Sequence, residues 1–142
     1  MSQSKSTDST AFTNGAHHIG LTVPNIIKTR DFFVETLNFK QVGEKPNYPA
    51  VFVSDGTITL TLWQSIDPNN TKPFDRKNNI GLHHLALRLN PEVSLESLHE
   101  RLIDSGNVEV EFKPEQLGSG TTKHMMCIIP GGIRLEFIAP IN

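Results

Sequence analysis

The chain has 142 residues and a formal net charge of −2, with charges of both signs spread along its length. This length suffices for one compact domain with its own core, so a bound metal ion would be functional rather than a structural staple. The absence of a basic run argues against nucleic-acid and membrane-surface partners. The single cysteine, Cys127, allows no internal disulfide. We interpret it as a buried, inert thiol of a cytoplasmic protein.

The first segment in chain order, residues 1–15, is rich in Ser and Thr and has no apolar run. It is predicted to be a disordered tail, neither a secretory signal nor a membrane anchor. An alternation follows in which Ile19, Leu21 and Val23 lie on one face and His18 lies on the other. This period of two predicts a half-buried strand.

A helix is predicted next, with Asn25 as N-cap, an apolar stripe from Ile26 to Leu37 and Asn38 as a left-handed C-terminal residue. Asp55-Gly56 is a hairpin signal. Three short strands are predicted near residues 41–44, 50–54 and 57–64. Residues 65–79 lack periodicity and form a predicted loop between module one, residues 16–64, and module two, residues 80–140.

The second half repeats the order of the first, and equating His18 with His84 gives an offset of 66 (84 minus 18). A strand from His84 to Leu89 and a helix from Ser94 to Ser105, stopped by Gly106, are predicted. Three strands near residues 108–112, 122–129 and 133–139 complete the unit. The order strand, helix, three strands, twice, predicts an α+β fold with helices on one face of curved sheets.

The polar face of these strands carries the candidate metal ligands. The apolar face must meet the helices, so His18, His84 and, on the last strand, Glu136 would line the concave side. The rings of His17 and His83 should point away from it. Two imidazoles and one carboxylate suit Zn²⁺, Fe²⁺, Mn²⁺ or Ni²⁺ and leave positions open for substrate. The alternative is that each His is a hydrogen-bonded or surface residue and that the carboxylate lies at the rim, since a buried unpaired carboxylate is costly.

Four segments carry a family resemblance, and they are His18-Ile19-Gly20-Leu21-Thr22-Val23, the helix end at residues 32–39, His84-Leu85-Ala86-Leu87 and Pro130-Gly131-Gly132-Ile133-Arg134-Leu135-Glu136-Phe137. In this order they resemble the vicinal oxygen chelate superfamily, which includes glyoxalase I, bleomycin-resistance proteins, fosfomycin-modifying thiol transferases and extradiol dioxygenases. The resemblance covers residues 16–140. It implies two βαβββ modules forming an open mixed β-barrel cup, with helices packed outside, around one divalent metal ion held by His18, His84 and Glu136.

The resemblance also implies a small-molecule substrate that binds the ion through two neighbouring oxygens, and a homodimer in which modules of two subunits build each site. In glyoxalase I a ligand carboxylate shuttles the substrate proton, which makes Glu136 the catalytic candidate. A fourth ligand of that enzyme is missing, because Thr59 or Thr61 stands at its place and Gln64 is nearby but on the apolar face. The alternatives are a metal-free protein that sequesters a ligand, as in bleomycin resistance, and a degenerate scaffold.

Five further residues are candidates for substrate contact. Arg88 and Arg134 could each bind an anionic group, or be solvated at a strand end. Trp63 could form an apolar wall beside Thr61, or pack at the module boundary. His124 could face the substrate, support a ligand residue, or sit on an exposed strand.

Overall fold

The computed structural model describes residues 9–139. Module one contains β1 (His18–Val23), α1 (Ile26–Asp31), β2 (Lys40–Lys45), β3 (Ala50–Ser54) and β4 (Thr59–Gln64). Module two contains β5 (Leu85–Arg88), α2 (Leu95–Ser105), β6 (Glu109–Gln116), β7 (Lys123–Ile128) and β8 (Arg134–Ala139). The predicted α+β class and the twofold βαβββ order are confirmed.

Each module forms its own sheet of four strands. The strand orders are β1-β4-β3-β2 and β5-β8-β7-β6, so the same topology occurs twice. The first strand pairs in parallel with the last, and the other pairs are antiparallel. The two sheets do not close into a barrel and instead leave a cup, with β1 and β5 each at a sheet edge.

The first helix begins as predicted, because the Asn25 side chain accepts a hydrogen bond from Lys28 N at 3.1 Å. It continues past α1 as one turn of π-helix, Phe32–Thr36. This wider turn places the adjacent residues Phe32 and Phe33 both in the core. Asn38 has φ of 60°, the left-handed conformation expected at this position.

The second helix matches its predicted bounds to one residue, with Ser94 accepting from Ser97 N at 3.0 Å and Gly106 in the left-handed region. Its buried stripe is Leu95, Leu98 and Leu102. Arg101 on the other side of this helix donates to the backbone carbonyl oxygens of Thr36 at 2.6 Å and Glu35 at 3.0 Å. The two helices are therefore linked across the module boundary.

The modules share one hydrophobic core, to which both sheets and both helices contribute. The β7–β8 turn is part of this junction, because the Thr29 hydroxyl donates to the Pro130 carbonyl at 2.9 Å. Gly131 has φ of 107°, and a Cβ there would lie 2.9 Å from the Thr29 hydroxyl and 3.0 Å from Val23. Glycine is thus required by both backbone conformation and close packing.

Several boundaries differ from the predicted ones. His84 lies just before β5 rather than in it, and β6 extends to Gln116. The loop of residues 65–79 contains one 3₁₀ turn, Pro68–Asn70. Of the predicted tail, residues 1–8 lie outside the described part, and residues 9–15 form neither helix nor strand. No helix among the described residues has the length and apolar character needed to cross a bilayer.

Cys127 is fully buried on β7, as predicted. Burial raises the pKa of its thiol to about 12, so the thiolate that would be nucleophilic is not formed near neutral pH. A Cys127–His124 dyad is also excluded by strand parity, because residues three apart face opposite sides of a strand.

Candidate metal centre

The open face of each sheet is the one opposite the helices, and it carries the polar members of the alternating strands. On β1, Leu21 and Val23 are buried while His18 is exposed, as predicted from parity. On β5 the buried residues are Leu85 and Leu87. The predicted ligands of module two therefore lie on the same side of their sheet as His18 does in module one.

His84 and Glu136 meet on the open face of module two. His84 Nε2 lies 3.0 Å from Glu136 Oε1, and the second carboxylate oxygen, Oε2, lies 2.6 Å from His124 Nδ1. Glu136 is only 7% exposed, which is rare for a carboxylate and requires compensating partners. Both of its oxygens have an imidazole nitrogen as neighbour.

The remaining nitrogen of His84 determines what Nε2 can do. His84 Nδ1 lies 2.8 Å from His83 Nδ1, and His83 Nδ1 also lies 3.2 Å from Arg134 Nη1. Because a guanidinium can only donate, His83 Nδ1 acts as the acceptor, and His84 Nδ1 then carries its proton toward His83. His84 Nε2 is left with a lone pair in the neutral ring, the form that binds metal ions.

A lone pair on Nε2 and an ionised Oε1 would face each other at 3.0 Å. Such a contact is repulsive unless Nε2 carries a proton or both atoms would bind one metal ion. The donor set and its spacing therefore fit two of the ligands of a divalent transition metal.

Arg134 is fixed beside this pair by Glu111. Its Nη2 and Nε donate to the two oxygens of Glu111 at 2.7 and 3.0 Å, and Nη1 donates to the His83 carbonyl at 3.1 Å. These hydrogen bonds from Arg134 lower the pKa of the Glu111 carboxyl. The substrate contact predicted for Arg134 stays a prediction, and the contacts present hold His83 in place.

His18 lies on the sheet of module one, where its Nδ1 contacts Nδ1 of His17 at 2.9 Å. The expectation that His17 and His83 point away was wrong, because each ring contacts the following histidine. Among residues 9–139 no three His, Cys, Asp or Glu side chains form a group that could hold a metal ion within one chain. The assignment of His18 as a ligand stays a prediction.

Register identifies the module-one counterpart of Glu136. Gly20 on β1 pairs with Thr61, just as Ala86 on β5 pairs with Glu136. Thr61 rather than Thr59 thus stands where a fourth ligand would be. Its hydroxyl accepts a hydrogen bond from Trp63 Nε1 at 2.8 Å. A Cβ on Gly20 would lie 3.2 Å from this hydroxyl and 3.3 Å from the indole nitrogen, so glycine leaves room for the ring.

Gln64, the other alternative for the fourth ligand, supports the first helix. Its Oε1 accepts from Ile26 N at 3.0 Å, and its Nε2 donates to the Pro24 carbonyl at 2.7 Å. The side chain thus faces the helix, as its apolar parity indicated.

Aromatic residues surround Trp63 in module one. The Tyr48 ring stands edge-on to the indole at 4.6 Å between centroids, and the Phe52 ring lies at 6.3 Å. Trp63 and Thr61 were predicted from the sequence, whereas Tyr48 and Phe52 were not. Phe52 could have been found from register, because it pairs directly with Thr61.

The remaining substrate candidates lie in different places. Arg88, at the exposed end of β5, lines a cleft of about 990 Å³ between the modules, together with Ile19 and Leu85 of the two edge strands. His124 is instead part of the Glu136 cluster, with its side chain only 12% exposed. Of the sequence-predicted site residues, the structure brings together His84, Glu136 and His124. Arg134 is linked to this cluster through His83, which contacts both Arg134 and His84.

Comparison with known proteins identifies the family. The model of the Glyoxalase/Bleomycin resistance protein/Dioxygenase superfamily matches residues 15–137, nearly the whole described chain. The chain belongs to this superfamily. The resemblance inferred from the histidine and Pro-Gly-Gly segments is thereby confirmed. A search of curated protein sequences found no significant match.

Solved structures of this superfamily share the fold at low sequence identity. A glyoxylase/bleomycin resistance protein/dioxygenase domain from Frankia sp. EAN1pec aligns with a TM-score of 0.74 at 22% identity, covering 92% of this chain and 94% of that one. The fosfomycin resistance protein FosX from Listeria monocytogenes aligns at 0.69 and 16%, covering 91% and 95%. A lactoylglutathione lyase from Agrobacterium tumefaciens aligns at 0.66 and 17%, covering 91% and 96%. These similarities establish the two-module superfamily fold.

Proposed function

We propose that the chain is a metal-dependent enzyme of the glyoxalase/dioxygenase superfamily that binds a small substrate through two neighbouring oxygens. His18, His84 and Glu136 would hold one divalent ion of Zn, Fe, Mn or Ni. The observation that carries the proposal is the 3.0 Å approach of His84 Nε2 to a buried Glu136 oxygen. Two electron-pair donors at this spacing are compatible with neighbouring ligands of one cation.

The third ligand is proposed to come from a second copy of the chain. His18 lies on the sheet of module one, away from the cluster of module two, and β1 and β5 are edge strands. Edge strands present unpaired backbone groups that can pair with another chain. A homodimer that places module one of one copy against module two of the other would add His18 to His84 and Glu136, and an isologous dimer would contain two such sites.

The metal, when bound, would polarise the two substrate oxygens and stabilise negative charge that develops on them. Glu136 has its Oε2 beside His124 and its Oε1 beside His84, so its carboxylate would lie next to a substrate bound at the ion and is the candidate for proton transfer. Module one would supply an apolar wall made of Trp63, Tyr48 and Phe52. Isomerase or lyase, thiol-transfer and ring-cleaving dioxygenase reactions are all compatible with this arrangement.

A second candidate function is sequestration of a ligand without a metal. The aromatic group of Trp63, Tyr48 and Phe52 favours it, since such surfaces bind flat apolar molecules. Thr61 at the place of a fourth ligand also favours it.

Metal content separates the two functions. Protein purified without chelators or an affinity metal column is analysed by elemental mass spectrometry, and stoichiometric metal is expected in the wild type. His84→Ala and Glu136→Gln should each remove it, because each leaves a single ligand in module two. His99→Ala, at a half-buried position of α2, is the matched control and should retain the metal. A wild type that holds no metal and takes up none on titration with each ion would support sequestration.

A further inference from the structure

We propose that His124 is a positioning residue that orients Glu136 for metal binding, rather than a substrate contact or a ligand. This inference rests on the proposed function and adds a residue to the proposed site. His124 lies on β7, two residues from Met126, which is the direct cross-strand partner of Glu136. Long side chains reach such a diagonal neighbour across a sheet. The two side chains meet at 2.6 Å between His124 Nδ1 and Glu136 Oε2.

The contact with His124 gives the two carboxylate oxygens of Glu136 different partners. With Oε2 accepting from His124 Nδ1, the carboxylate cannot rotate freely, and Oε1 remains directed at His84 Nε2. A carboxylate fixed in this way presents one defined oxygen to a cation. In the absence of the donor, Oε2 would be a buried acceptor without a partner, and the rotamer of Glu136 would be free to change.

His124 is itself held on both sides. Its ring packs against Phe112, with centroids 4.7 Å apart, and its Nε2 lies 3.7 Å from Glu115 Oε1, directly across the strand pair. The side chain is only 12% exposed, which leaves little surface for a substrate. Packing thus fixes the ring, and the ring fixes the carboxylate.

The register relation to module one supports this role. Glu136 is a buried acid on the open face of module two, and its counterpart Thr61 is held by Trp63 Nε1, not by an imidazole. Each of these two equivalent side chains therefore has its own N–H donor on the open face. Only the donor of module two acts on a group able to bind a cation.

Three substitutions of His124 test the inference. The amide nitrogen of asparagine lies near the position of the ring Nδ1, and that of glutamine lies near the position of Nε2. His124→Asn keeps a donor at the Nδ1 position, His124→Gln moves it away, and His124→Phe keeps the ring packing on Phe112 without any donor. The dissociation constants of Zn²⁺, Fe²⁺ and Ni²⁺ are measured on the full-length protein by competition with a chromogenic chelator, and that of Mn²⁺ by electron paramagnetic resonance. The thermal unfolding midpoint of the metal-free protein is measured alongside.

We expect His124→Asn to stay within about threefold of the wild-type dissociation constant, and His124→Gln and His124→Phe to weaken binding about 10- to 100-fold. Equal affinities in all four proteins would overturn the inference. Equal weakening in all three variants, including Asn, with unchanged unfolding midpoints would make His124 a direct ligand and would also overturn it. A wild type that binds neither Zn²⁺, Mn²⁺, Fe²⁺ nor Ni²⁺ would instead remove the proposed function itself, and the role of His124 with it.

Discussion

The open faces of the two modules share one backbone topology but differ in chemistry. At equivalent register positions, module one has Thr61 hydrogen-bonded to an indole, and module two has Glu136 with an imidazole nitrogen beside each of its oxygens. Both modules begin with a His-His pair in which the Nδ1 atoms are in contact. The two modules therefore share a backbone frame, while the buried carboxylate and its two imidazole neighbours lie on the sheet of module two. The other sheet has aromatic residues in the corresponding region.

The largest expected effect tests whether the metal site is shared between two subunits. His18→Ala and Glu136→Gln homodimers should both lose the metal, whereas a heterodimer of the two, purified through two affinity tags, should bind about one ion per two chains. One of its sites then combines the intact His18 of one chain with the intact His84 and Glu136 of the other. Elemental mass spectrometry gives the stoichiometry.

The control for this experiment is a heterodimer of His84→Ala with Glu136→Gln. Both changes lie in module two, so each site keeps one defect and no metal should be regained. Metal absent from both heterodimers would place the three ligands within one chain and contradict the division between subunits.

The next effect concerns the shared core beneath the two faces. Leu60 and Leu135 are equivalent by register, opposite Ile19 and Leu85, and both are fully buried. Leu60→Ala and Leu135→Ala should each lower the free energy of unfolding by about 2–5 kcal/mol in urea denaturation. Ile66→Ala, at a fully exposed position, should change it by less than about 0.5 kcal/mol. Two separate unfolding transitions in either core variant would show that the modules do not share one cooperative core.

A smaller effect tests the aromatic face of module one. Benzohydroxamate and acetohydroxamate bind metals through the same two vicinal oxygens and differ in a phenyl group. We expect the metal-loaded protein to prefer the phenyl compound by about 3- to 10-fold, the range of one aromatic contact, and Trp63→Leu to reduce this preference. Titration calorimetry measures both affinities, and acetohydroxamate is the internal control. An unchanged preference in Trp63→Leu would place the substrate away from this wall.

The smallest effect is the pH dependence of the Arg134–Glu111 pair. The hydrogen bonds from Arg134 hold the folded-state pKa of Glu111 below its ordinary value of 4.5. The ion pair therefore stabilises the folded protein above pH 4.5, and this stabilisation is lost as the pH falls through the lower folded-state pKa. Glu111→Gln should lower the unfolding midpoint at pH 7 by about 1–3 °C, the range for a partly exposed ion pair. The difference from wild type should be smaller at pH 3 than at pH 7, because the contribution of the ion pair begins to be lost once the pH falls below 4.5.

Glu109→Gln, an exposed change on the same strand, should have no comparable effect at either pH. If Glu111→Gln lowers the unfolding midpoint by the same amount at both pH values, the lost stability comes from packing rather than from charge. Differential scanning calorimetry at both pH values distinguishes the two.

Parity was enough to predict which side chains share a face, because a strand alternates with a period of two and the helices must cover the apolar side. This alternation predicts that His84 and Glu136 lie on the open face of module two. It did not find the contacts of His124 or Arg134, because those depend on which residue stands opposite in the neighbouring strand. Nor did it find Tyr48, which lies outside the strands and reaches Trp63 through the β2–β3 connection.

The sequence by itself determined the duplicated order of elements, the helix cap at Asn25, and the family, because local periodicity and capping groups act over only a few residues. Tertiary structure decided that Thr61 is the counterpart of Glu136, that Gly131 packs on Thr29, and that Glu136 lies between His84 and His124. These facts depend on strand register and on the packing of one module against the other. Both join residues far apart in the chain, which no local pattern encodes.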